Sequence, residues 1–198
     1  MVQSDAHWRR LDREFAVAIE ILDALEAAAR KRQAAPDLER LAAARVLASR
    51  VARALEHAGS TDAPSDWRAW VDAETAGIEL RFEIRHLVAG AGSLRQDYLA
   101  AVAQHVLRLE TEIGKLQNRS SQFRPRTRLA IGRDVERLQR RLDVLREEMR
   151  RLEGSAEKAG ENAAGSVGRA WSDADSAVDA ARMRFARPRG RQGREARL

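Results

Sequence analysis

Two stripes of apolar residues meet at a proline, and together they leave little freedom for the rest of the chain. Leu99, Val102, Val106, Leu109, Ile113 and Leu116 alternate in steps of three and four. Beyond Pro125 the alternation resumes with Ile131, Val135, Leu138, Leu142, Leu145, Met149 and Leu152. This spacing lines each set along one side of an α-helix, as in the seam of a coiled coil. A long antiparallel hairpin folded at Arg124-Pro125-Arg126 follows. Placing Leu99 and Val135 at heptad position a puts His105, Glu112 and Arg119 on one flank of the first arm and Asp134, Arg141 and Glu148 on the same flank of the second. Facing arms then pair Arg119 with Asp134, Glu112 with Arg141 and His105 with Glu148. A parallel dimer of the second arm would instead oppose Arg141 to Arg146 and Glu148 to Glu153, so the intrachain hairpin is preferred.

The remaining helices follow from the same periodicity. One runs from about Ser4 to Arg32 with the stripe Trp8, Leu11, Phe15, Ala18, Leu22, Leu25 and Ala29. A second, from about Asp37 to Ala58, has an alanine-rich seam at Leu41, Ala44, Ala48, Val51 and Leu55. After the Gly59–Ser65 loop, a third runs from about Asp66 to Val88. Ser93-Leu-Arg-Gln96 has the spacing of a capping box and opens the first hairpin arm. Connections this short favour antiparallel neighbours, so these three helices and one hairpin arm are expected to form a four-helix bundle. With Pro scarce and no alternating β-branched runs, the expected class is all-α: an elongated antiparallel helical bundle with a coiled-coil-like hairpin and a C-terminal amphipathic helix.

The expected organisation is a three-helix segment over 1–92, the hairpin over 93–153, a flexible Gly/Ala linker over 154–168, an amphipathic helix over 169–186 and a disordered Arg-rich tail over 187–198. Glycines at 154, 160, 165 and 168, among little else that is apolar beyond alanine, suit a flexible linker or a frayed helix. The amphipathic helix places Trp171, Val178 and Phe185 on one side, a candidate face for a partner helix.

The coil, the linker and the ending Ala170-Trp-Ser-Asp-Ala-Asp-Ser-Ala-Val-Asp-Ala-Ala-Arg-Met-Arg-Phe185 resemble the small bacterial coiled-coil stress-response proteins, over about residues 133–186. The resemblance implies a non-enzymatic role linked to stress. The chain departs from that pattern in its helical first half, its single terminal-segment Trp and its basic tail.

The net charge of +6 is unevenly distributed. Residues 1–118 carry 16 basic against 18 acidic side chains, and 119–151 carry 11 against 5. Arg119, Arg124, Arg126, Arg128 and Arg133 surround the hairpin turn with no acid among them, and Arg187, Arg189, Arg191, Arg194 and Arg197 lie in the tail. Such clusters suit phosphate backbones through counterion release, although a charge run is ordinarily a solvated face. A membrane surface is less well suited, because aspartates accompany Trp171 and the apolar side is mostly alanine.

Chemistry finds little support. Without cysteine there are no thiolate ligands or nucleophiles. Glu83-Ile-Arg-His86 has the E-x-x-H spacing of di-metal bundles, but the second such pair is missing. No phosphate-binding Gly-rich loop or Ser/His/Asp set stands out. The expectation is a non-enzymatic scaffold with no metal, cofactor or small-molecule substrate. It would engage a protein partner or a second copy of itself, with nucleic acid as the alternative ligand. The lack of a signal-like apolar N-terminus and of cysteine suggests a cytoplasmic setting.

Overall fold

The computed structural model describes residues 2–60, 67–90, 92–123 and 125–185, with side chains described outside 2–10, 58–60, 67–70 and 157–158. Among these residues the chain forms six helices and no strand: α1 (Val2–Lys31), α2 (Ala35–Ser60), α3 (Trp67–Ala89), α4 (Ser93–Ser120), α5 (Pro125–Glu153) and α6 (Glu157–Phe185). The all-α expectation holds. The Gly59–Ser65 loop lies mostly outside the described residues, and the tail lies wholly outside them.

The end of α1 and the start of α4 each have a local cause. α1 ends as Gln33 turns left-handed at φ 57°, with Ala34 N–H reaching Ala29 O and Gln33 N–H reaching Arg30 O, both at 3.0 Å. That pattern satisfies two terminal carbonyls of α1. At the start of α4 the capping box does not form. Gly92 occupies the cap, and the Ser93 hydroxyl donates to Asp37 Oδ2 at 2.7 Å. Asp37 also receives Arg32, which binds Asp97 as well, so these ion pairs tie the α1–α2 connection to the first turn of α4.

The most extensive packing partners close a ring in the order α1, α2, α3, α6, α5, α4. This enlarges the expected four-helix bundle by two members. The larger core draws on all six helices, from Leu22 and Leu25 through Leu41, Leu80 and Val102 to Leu145, Leu152 and Trp171. A second core holds the end near the hairpin turn. There Leu109, Ile113 and Leu116 of α4, Ile131, Val135, Leu138 and Leu142 of α5, and Ala174, Val178 and Ala181 of α6 come together.

Three sequence expectations change here. The segment 154–168 is not a linker: α6 is helical from Glu157. Its glycines allow close approach, since a Cβ on Gly160 would collide with the Ala89 carbonyl and lie 2.7 Å from Arg95 Nη2. The face proposed for a partner helix is occupied internally, with Trp171 and Val178 buried and Phe185 half-buried against the second core. The charge pairs assigned across the hairpin also form elsewhere, because α6 lies along that flank.

Candidate functional site

The flank of the hairpin shows why its predicted ion pairs fail. On α4, His105 and Glu112 are seven residues apart; on α6, so are Asp175 and Arg182. His105 Nε2 lies 2.9 Å from Asp175 Oδ1, and Arg182 Nη2 lies 2.5 Å from Glu112 Oε2. The two helices therefore run in parallel register through this ladder. On α5, Asp134 takes Arg184 at 2.5 Å, and Arg141 donates to the Asp173 carbonyl at 2.9 Å. Glu148 binds Arg151 of its own helix at 2.8 Å. An ion pair that does join the arms, Glu110 with Arg146, lies off that flank.

His105 is 5 % exposed and stacks on Trp171, with centroids 4.4 Å apart and planes 28° apart. Arg108 Nη2 lies 2.9 Å from His105 Nδ1. A guanidinium only donates, so Nδ1 accepts and the ring proton sits on Nε2, toward Asp175. That N–H is not aligned on Asp175 Oδ1 and makes no hydrogen bond, so the contact is electrostatic rather than directional. Trp171 Nε1 donates to Asp175 Oδ2 at 3.2 Å. The cluster joins α4 to α6, and Arg108 extends it to Glu20 of α1.

Arg95 is 3 % exposed and has no carboxylate partner among the described residues. Its guanidinium donates to the carbonyls of Val88 and Ala89 at the end of α3 and of Leu152 and Ser155 at the end of α5. One cation thus faces the negative ends of two helices while donating to carbonyls there, of which Leu152 O also accepts from Ser155. Its assignment is structural.

The hairpin turn has a different character. Arg119 ends α4, and α5 opens Pro125-Arg126-Thr127-Arg128 with no acid in its first turn. Arg119, Arg126, Arg128 and Arg133 are exposed. Arg128 donates to the Ser121 carbonyl at 3.1 Å. Arg119, Arg126 and Arg133 have no carboxylate partner among the described residues. Arg140 extends the series: Arg126, Arg133 and Arg140 are seven residues apart on the outer side of α5, an exposed stripe about 21 Å long. The acid-free run of arginines in the sequence includes Arg126 and Arg133, and one heptad step beyond them falls on Arg140. Arg124, Arg187, Arg189, Arg191, Arg194 and Arg197 lie outside the described residues.

The E-x-x-H pair does not converge. His86 Nδ1 meets Glu161 Oε1 of α6 at 3.0 Å, and both side chains are exposed. Among the described residues, no group of three or more His, Asp or Glu is placed to hold a metal ion. No helix there is long and apolar enough to cross a membrane.

Among the described residues the chain is an all-α bundle of six helices with exposed arginines around the α4–α5 connection. Comparisons with protein-family models, curated proteins and solved structures find no match.

Proposed function

We propose that the protein is a non-enzymatic helical scaffold that holds a phosphate-bearing polymer, nucleic acid, at the α4–α5 turn without reading its sequence. The observation that carries this reading is the placement of cations at the start of α5. A helix N-terminus is already positive, and acidic residues there are stabilising. This one has no acid in its first turn and adds Arg126 and Arg128, with Arg119 and Arg133 nearby. The arrangement costs stability in the free protein, and a phosphate oxygen would relieve it. Elsewhere, arginines such as Arg45 and Arg81 are satisfied by carboxylates of neighbouring helices. The burial of Trp171 and Val178 removes the C-terminal face as a free surface for a protein partner. A link to stress has only the sequence resemblance behind it.

The test is fluorescence anisotropy with labelled single-stranded RNA and duplex DNA over a salt series. Binding should fall linearly on a log–log plot. Replacing Arg119, Arg126, Arg133 and Arg140 by Ser should flatten the slope by about 0.7–0.9 for each phosphate no longer neutralised. Deleting 187–198 in a parallel arm separates the tail from the turn. If the four-Ser variant binds like the parent, the turn is not the interface.

A further inference from the structure

Between α1, α3, α4 and α6 the larger core leaves a recess of about 90 Å³. Val17, Ala18, Ile21 and Ile84 give it a largely apolar lining, and Arg81, Arg85 and Arg169 line it beside a single carboxylate, Glu14. Arg81 takes that carboxylate. Arg169 donates to Ser166 Oγ at 3.0 Å, and Arg85 lies over the Phe82 ring with Cζ 5.4 Å from its centroid. Neither Arg85 nor Arg169 has an acid partner among the described residues.

Arg85 is also closely confined. A Cβ on Gly165 would lie 3.0 Å from its Nε and 3.1 Å from its Cζ, so a larger residue there would press the guanidinium back by a few tenths of an ångström. Burial first, then repulsion from Arg169 and Arg81, lowers the Arg85 pKa. The neighbouring Tyr98 does not compensate, because its own burial raises its pKa and keeps the phenol neutral. The protein thus keeps two guanidinium groups without an acid partner among the described residues, one half-buried and one exposed, beside an apolar hollow.

We propose that this recess binds a short-chain monocarboxylate, its carboxylate on Arg85 and Arg169 and its hydrocarbon body against Val17, Ala18 and Ile84. The chemical class follows from the lining. A guanidinium fork matches a carboxylate in two parallel hydrogen bonds. The apolar walls desolvate a hydrocarbon body at a gain and a fully hydrated inorganic phosphate at a loss. Size sets the length: a cavity of about 150 Å³ accepts benzene, so this smaller one suits a body of about three to four carbons. The site is separate from the hairpin turn and does not depend on nucleic-acid binding there.

Calorimetric titration of the full chain with butyrate tests the assignment. Saturable binding is expected with a dissociation constant on the order of millimolar, fitting so few ligand atoms. Arg85→Gln and Arg169→Gln should each weaken it by about tenfold or more, the scale of a charge-assisted hydrogen bond. Arg126→Gln, at the turn, should leave it unchanged, and butylamine should not bind. Arg169 is exposed, so its variant keeps the test open if Arg85→Gln fails to fold. Absence of saturation, equal affinity in a folded Arg→Gln variant, or inorganic phosphate matching butyrate would each overturn the proposal.

Discussion

In the body of the bundle, Arg32, Arg45, Arg81 and Arg108 each reach a carboxylate on another helix, and buried side chains from all six helices share one core. Around the hairpin turn, only α4, α5 and α6 contribute, and Arg119, Arg126 and Arg133 meet solvent instead of acids. The two regions use the same residue types under different constraints. Where six helices converge, an arginine positions one helix against another; where three converge, Arg182 and Arg184 of α6 still pair with Glu112 and Asp134, but the arginines at the turn itself are left for something outside. Stability should therefore fall from the six-helix core toward the α4–α5 connection, which opens first.

The largest effect should come from Trp171, the largest fully buried side chain and the one beside which the two cores meet. Trp171→Ala should destabilise the whole molecule by about 3–5 kcal/mol in denaturant unfolding. Leu142→Ala, in the distal core, should cost about 2–4 kcal/mol but act locally. Native-state hydrogen exchange distinguishes the two: Leu142→Ala should speed exchange in α5 over 131–142 while α1 is little affected. Equal acceleration everywhere would mean that the two cores open as one unit.

Arg95→Met comes next. Removing its donors takes a buried partner from the Val88, Ala89 and Ser155 carbonyls, while the Leu152 carbonyl keeps its bonds from Ser155, at about 2–3 kcal/mol. Chemical denaturation measures the loss, and a change within error would show that water replaces the guanidinium at no cost.

The smallest effect tests the parallel ladder. Glu112→Arg and Arg182→Glu should each cost about 0.5–1 kcal/mol, with much of it recovered in the double variant. Glu112→Arg combined with Arg141→Glu should simply add. The hydrogen bond from Lys115, then that from Arg182, holds the Glu112 carboxyl below the usual carboxylate range. Its contribution is therefore fully present above the ordinary glutamate value of 4.5 and is lost as pH falls through its lower folded value. Glu112→Gln should flatten that part of the acid-unfolding curve.

Much of this fold was legible because heptad spacing reports burial. Every position of the first stripe is buried, and in the second only Met149 is half-exposed. The flanking charges misled because a two-helix seam has two open flanks, and nothing in the heptads says that a third helix covers one. The glycines misled for a related reason: Gly160 and Gly165 resemble linker residues until the backbone and guanidinium beside them are in place. Arg81 and Arg85 offered a weak signal, like charges four residues apart on one helix, an arrangement that does not favour an isolated helix. Arg169 was invisible, because only tertiary folding brings it near them.

The way α6 spans both cores has a consequence for how the chain is made. Ala164, Val167 and Trp171 close the larger core, while Ala174, Val178 and Ala181 close the distal one. All of them leave the ribosome after the α4–α5 hairpin. For the few seconds needed to synthesise them, Leu109, Ile113 and Leu138 belong to a nascent hairpin with one side unsealed. That interval, rather than the finished protein, is when this chain is most exposed to aggregation and to capture by a chaperone.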